Sequence, residues 1–287
     1  MTAPPPGAGP LALDHVGLIV RDLQAAHDAM AALGFTLTAR ADHTMTTADG
    51  RTVSAGSSQH AIMLGHGYIE LMQITDPLAG HQLAAAPQER FGLHILALAT
   101  PDAEAAHAAF LANGQVVGPV RRWSRPVDEA DRKGLARFVY FDAPWVPQDA
   151  SYLCWVQHLT PELMRASDAP VHANGALSVQ AIHYAGPPAA ALGWIDHLQQ
   201  FGMAGHPVNG HTRIDLGLSH LDVHAQAGLA RLAPLALEIR FRTLNEIRAH
   251  CRAAGWPVTE EASGTLRIDL RAPLGLELLC KAGESGD

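Results

Sequence analysis

A β-α-β-β-β order of segments occurs four times along this chain, and that recurrence restricts the possible folds more than any other feature of the sequence. The first pass opens with a continuous apolar run over residues 11–20, suited to a strand covered on both faces. Asp22 then offers an N-cap, Leu23, Ala26, Met30 and Leu33 fall at helical spacing, and Gly34 is a natural stop. Short strands are predicted over 35–39, 51–55, 61–64 and 68–74. The second pass has a strand over 92–100, a helix from Pro101 to Gly114, and strands near 115–122, 135–141 and 151–157. The third starts at residues 176–184 with a helix over 188–201. The fourth starts at 235–241, has a helix over 244–254, and closes with 274–279. Units this small close a core only by pairing, so the expected organisation is two pairs. Residues 1–10 read as a disordered lead-in, 11–160 as the first two-module domain, 161–175 as a linker, and 176–281 as a second, degenerate domain.

Composition narrows the function. Apolar residues make up 48% of the 287 and charged ones 17%, enough to bury a core and too little charge for a disordered chain. The net charge of −8 provides no basic field for nucleic acid or an anionic membrane. No 18-residue apolar run and no leader-like N-terminus is present, and Cys154, Cys251 and Cys280 are too far apart in sequence to suggest a pair motif. These features together give a cytoplasmic expectation. The 17 histidines are the remaining outlier.

His15-Val-Gly-Leu-Ile-Val-Arg-Asp-Leu, the helix ending Leu33-Gly34-Phe35, and Tyr68-Ile-Glu70-Leu resemble the opening module of the vicinal oxygen chelate superfamily. Trp123-Ser-Arg-Pro126, Gln157-His-Leu-Thr-Pro-Glu162 and His172-Ala-Asn-Gly-Ala176 resemble its glyoxalase-like domain branch. The resemblance implies an α+β fold: four βαβββ modules in two pairs, each pair forming a half-open barrel-like sheet with helices outside. It also implies one divalent metal ion (Zn, Ni, Mn or Fe(II)) held by the first and fourth strands of two paired modules.

Carried over to this chain, the ligands are His15, Glu70 and His94, with Glu70 also serving as catalytic base. His15 stands 19 residues before Gly34 and His94 stands 20 before Gly114, which puts the two histidines at the same place in their units. The fourth ligand stays open: Cys154 falls where a second glutamate would stand, His158 shares its face, and Gln157 points inward only if the strand slips by one. Arg125 and Trp123, with Gln157, are expected to bind substrate, Arg125 by pairing with a carboxylate or phosphate. His183, Asp222, His224 and Glu277 lie on matching strands of the second half, which is read as mainly structural.

The implied activity is Lewis-acid stabilisation of an enediolate-type intermediate of a small oxygenated molecule, as a lyase, isomerase or epimerase. The alternatives are an Fe(II) extradiol-type dioxygenase and a metal-free small-molecule binding protein of the bleomycin-resistance type. A small-molecule substrate and a second copy of the chain are the expected partners.

Overall fold

The computed structural model describes residues 11–86, 90–129, 131–145, 150–164 and 171–283. The expected lead-in, residues 1–10, lies outside the described residues. Strand β1 (Leu13–Ile19) is buried along its whole length. Helix α1 (Leu23–Ala32) follows, capped by the Asp22 carboxylate, which accepts from the Ala25 N–H at 3.0 Å. Gly34 ends the turn at φ +82, where a Cβ would also strike the His250 ring.

The strands of the first module are β2 (Ala41–Thr46), β3 (Thr52–Met63) and β4 (Tyr68–Ile74). Two sequence expectations change here. Residues 35–39 form no strand, whereas 41–46 do, and the two short strands expected over 51–64 are one long strand. The second module is β5 (Gly92–Ala99), α2 (Ala103–Ala112), β6 (Arg121–Asp128), β7 (Lys133–Asp142) and β8 (Tyr152–His158), followed by the one-turn helix α3 (Pro161–Met164). The strand expected over 115–122 is displaced to 121–128, so Trp123 and Arg125 lie within β6 and not in a turn after it.

The second half repeats the order with β9 (Ala176–Gly186), α4 (Pro188–Gln200), β10 (Gly205–Val208), β11 (His211–Leu216) and β12 (Ser219–Ala225). It continues with β13 (Ala233–Phe241), α5 (Asn245–Ala254), β14 (Val258–Glu260), β15 (Leu266–Leu270), α6 (Arg271–Leu274) and β16 (Leu276–Ala282).

The first sheet runs β1-β4-β3-β2-β6-β7-β8-β5 and closes into a barrel. The second runs β10-β11-β12-β9-β13-β16-β15-β14 and stays open. In each module the first and fourth strands pair in parallel, and the two first strands of a pair meet antiparallel. The closing seam of the barrel is short, with Thr44 opposite Ser124 and Met45 opposite Trp123. The corresponding edges of the second sheet, β10 and β14, have four and three residues and do not pair with each other. The α+β architecture of four βαβββ modules is therefore present, with the first pair more fully closed than half-open.

Between the two sheets lies one continuous apolar core, to which Val16, Leu96, Ile182, Tyr184, Leu237 and Ile239 contribute from the central strands of both halves. Phe201 of the second half joins it to the first through ring contacts with Trp155 at 5.1 Å and Phe110 at 5.7 Å. Within the segment read as a linker, His172, Asn174 and Gly175 are buried. His172 accepts from the Thr36 N–H at 3.0 Å and reaches the Met63 carbonyl at 2.8 Å, and the Asn174 amide donates to the Leu33 carbonyl at 2.8 Å. The His-Ala-Asn-Gly motif thus fastens the chain between the halves.

Candidate active site in the barrel

Side chains alternate across a strand, so every second residue of the barrel strands points into its lumen. His15 from β1, Tyr68 and Glu70 from β4, Trp123 and Arg125 from β6, Phe138 and Tyr140 from β7, and Cys154 and His158 from β8 all line one cavity. His81, Gln82 and Leu83 reach the lining from the segment between β4 and β5, and Met164 from α3. The lining is mostly aromatic and aliphatic, with a few convergent polar groups, which is the usual constitution of a small-molecule site.

The polar groups form a connected set. A register shift in β1 between Leu13 and His15 brings Asp14 beside its neighbour, and Asp14 Oδ1 lies 2.7 Å from His15 Nδ1. The same carboxylate lies 3.1 Å from His158 Nε2. Burial alone would raise the Asp14 pKa, but the hydrogen bonds and charges of the two histidines outweigh it and hold the carboxyl well below its usual range. With Nδ1–H engaged, His15 turns Nε2 toward Glu70, 3.9 Å from Oε2, while its ring stacks on Tyr68 at 4.4 Å.

His43 Nε2 approaches Glu70 Oε1 to 3.4 Å. Gln59, with its amide oriented as its two neighbours require, donates to Glu70 Oε1 at 2.8 Å and accepts from Arg125 Nε at 2.7 Å. Burial pushes the Glu70 carboxyl up, helped by the Asp14 charge and opposed by His15 and Arg125. Burial, then the charges of His81, Arg125 and His15, keep His43 well below its usual value and hence neutral. His81 is lowered to about 4 by burial.

Arg125 is only 5% exposed. Its Nη2 lies 3.3 Å from Met164 Sδ and its Nε bonds Gln59, and among the described residues no carboxylate oxygen comes within salt-bridge distance of it. Burial of the guanidinium lowers its pKa, opposed by the more distant charges of Glu70 and Glu129.

The structure does not gather all the predicted residues. His94 is fully buried on the opposite face of β5, outside the lumen, with Nδ1 2.9 Å from the Gly92 carbonyl. The residue facing the lumen is Ile95, which stands 19 residues before Gly114, as His15 stands before Gly34. The one-residue difference in spacing thus reverses the side chain. Gln157 also points away from the cavity, where its Oε1 accepts from the Ala103 N–H at the start of α2. Cys154 does occupy the position matching Glu70: Gly17 pairs with Glu70, and Ala97 with Cys154.

The four strand positions at which the resemblance expects metal ligands are therefore His15, Glu70, Ile95 and Cys154. Ile95 offers no donor, and burial pushes the Cys154 thiol well above its usual value. This donor set does not fit a four-ligand metal centre. Among the described residues, no three His, Cys, Asp or Glu donors converge in the barrel. Sequence reasoning missed Asp14, His43, Gln59 and His81. Of these only Asp14, adjacent to His15, carried a sequence signal.

Two βαβββ modules joined antiparallel through their first strands about a polar-centred barrel, followed by a second pair joined in the same way, define the vicinal oxygen chelate fold. A family model described as glyoxalase-like domain matches residues 13–198, and the chain belongs to that family. A search of curated proteins gives no match. Among solved structures, the chain resembles a hypothetical protein from Staphylococcus aureus (TM-score 0.64, 12% identity, covering 95% of this chain and 99% of that one). It also resembles a mutant of 4-hydroxymandelate synthase from Streptomyces coelicolor (TM-score 0.57, 10% identity, 97% and 92% covered). A third is homoprotocatechuate 2,3-dioxygenase from Arthrobacter globiformis (TM-score 0.52, 12% identity, 100% and 84% covered). At these identities the likeness is one of fold.

Proposed function

We propose that the barrel binds a small, flat organic molecule bearing a carboxylate, and that Glu70 moves a proton at the carbon next to its carbonyl or carboxyl group without a metal ion in the barrel. The observation that carries this reading is Arg125: a buried cation facing an aromatic-lined cavity, with no carboxylate partner among the described residues. A ligand carboxylate would pair with it directly through two parallel N–H···O bonds. Trp123, Phe138 and Tyr140 would cover the faces of a planar ligand.

Glu70 supplies the proton acceptor. Its raised pKa brings it nearer to neutral pH, where a carboxylate is a more effective base. The Asp14–His15 pair beside it stabilises charge as the proton moves. The Lewis-acid chemistry that the resemblance implies has too few donors at this site, so proton transfer here rests on side chains. Proteins of this fold named for homoprotocatechuate and 4-hydroxymandelate fit a ligand of this general kind.

Calorimetry with benzoate and phenylpyruvate tests the reading, together with deuterium incorporation into phenylpyruvate from heavy water, followed by NMR. Arg125→Met should weaken binding of both acids at least about tenfold. Glu70→Gln should keep binding and lose exchange above the buffer rate. Equal affinity in Arg125→Met, or exchange that survives Glu70→Gln, would sink the proposal.

A further inference from the structure

The segment after β4 packs against the Trp123 end of the barrel. A Cβ placed on Gly80 would lie 3.9 Å from Met45 Cε, Met45 is the cross-strand partner of Trp123, and the His81 ring stands 5.0 Å from the Trp123 ring. The residues after His81 are pinned: the Tyr140 hydroxyl donates to Gln82 Oε1 at 2.8 Å, and Leu83 and Ala86 are buried in the same apolar cluster as Trp123 and Tyr140.

His81 lines the cavity and is 6% exposed. Its Nδ1 accepts from the Leu83 N–H at 3.0 Å. A backbone N–H can only donate, so Nδ1 carries the lone pair. Burial lowers the ring to about 4, which keeps it neutral at pH 7, and a neutral imidazole of this kind bears its proton on Nε2. That N–H is buried and meets no hydrogen-bond acceptor among the described residues. Buried donors in native proteins are nearly all paired, because an unmet one loses its water without replacement.

The cavity has two chemically different ends. Arg125 lies against Met164 and pairs across strands with Ala136, and both belong to an apolar cluster separate from that of Trp123, Tyr140 and Leu83. Trp123 and Arg125 are two residues apart on one strand and both line the lumen, a step of about 6.6 Å. One end therefore offers a cation and the other a neutral N–H.

We propose that His81 Nε2–H donates to an acceptor oxygen at the end of the ligand remote from its carboxylate, so that the barrel selects acids bearing a carbonyl or ether oxygen about one ring's length away. This rests on the carboxylate reading of Arg125. The two ends also fix which way round the ligand lies, since a carboxylate gains more from a guanidinium than from an uncharged N–H. Gln59 ties Arg125 to Glu70, so this orientation sets the carboxylate end beside the base.

Calorimetry on the full chain with 4-acetylbenzoate and 4-isopropenylbenzoate, which differ by a carbonyl oxygen replaced with a methylene, isolates the donor. The wild type should bind the ketone about tenfold more tightly, and His81→Phe, which keeps a flat ring, should bind the two alike. Because Nδ1 also holds the Leu83 N–H, thermal unfolding checks the fold of the variant, and ¹⁵N NMR of the wild type needs no substitution. It should find His81 protonated at Nε2 at pH 7, with that proton deshielded by the ketone and not by the hydrocarbon. Equal affinity for the two acids overturns the proposal, and if Arg125→Met then weakens both, the carboxylate reading survives without it. A preference that persists in folded His81→Phe, a ring protonated at Nδ1, or an Nε2–H that stays against the Trp123 ring unmoved by the ketone also overturns it. A ketone preference lost in His81→Phe, with both affinities indifferent to Arg125→Met, would support the role of His81 and overturn that of Arg125.

Discussion

Glu70 illustrates how the barrel interior sets the charge of a single residue. Its folded pKa lies above the ordinary carboxylate value because burial outweighs the attraction of His15 and Arg125. A raised carboxyl favours the folded state fully below the unfolded pKa, and that contribution is lost as pH rises through the folded pKa. Glu70→Gln should therefore raise the unfolding temperature at pH 7, with the gap from wild type closing as pH falls below about 4. A thermal unfolding series against pH checks this, and a lower unfolding temperature for Glu70→Gln at pH 7 would contradict it. Asp14, one strand away, has the opposite shift because two histidines hydrogen-bond to its charged form. The placement of His15 and Glu70 in one cavity was implied by the resemblance of the first module to the superfamily's opening module. That of His94 was not, since a spacing that differs by one residue reads almost the same in sequence but inverts the side chain on a strand.

The seam between β2 and β6 closes the barrel at the level of secondary structure. It consists of two residue pairs, reinforced by Thr44 Oγ1, which lies 2.9 Å from Ser124 Oγ and 3.1 Å from the Ser124 carbonyl. Thr44→Val keeps the β-branched shape and removes both hydrogen bonds, so it should loosen this seam before any other part of the barrel. Faster hydrogen exchange at the Met45 and Trp123 amides, with β1 and β4 amides unchanged, is the expected result. Uniform acceleration would instead mean that the seam does not open independently.

Strand β2 was hidden in the sequence because Ala-Asp-His-Thr-Met-Thr lacks clear apolar alternation, and its stability comes from neighbours on both sides. Without β2, His43 could not be assigned to the lumen. The displacement of β6 likewise obscured Trp123 and Arg125, which fall beyond the strand expected over 115–122 until their pairing with Phe138 and Ala136 is known.

The largest apolar cluster contains residues of both sheets and couples the two halves of the molecule. One cooperative transition is expected. Among the histidines whose burial resists protonation are His43, well below its usual value, His81 at about 4 and His94 at about 3, each lowered chiefly by burial. Their depressed values mean that the unfolded chain takes up protons first, so stability is lost as pH falls from about 6.5 toward these values, by up to about 1.4 kcal/mol per pH unit for each group. Denaturant unfolding at a series of pH values should show this slope, and it should be shallower in His94→Gln. A flat stability profile between pH 6 and 4 would rule it out.

The sequence alone determined the module order, the caps and glycine stops of the first helices, and the pairing of like units, because these depend on local periodicity and backbone freedom. Which histidines share a cavity, whether Cys154 meets a carboxylate or stands alone, and where Arg125 would find a counter-charge were decided only by the tertiary structure. Those outcomes depend on strand register and on closure of the barrel, where one residue of offset costs little locally yet exchanges the inside for the outside.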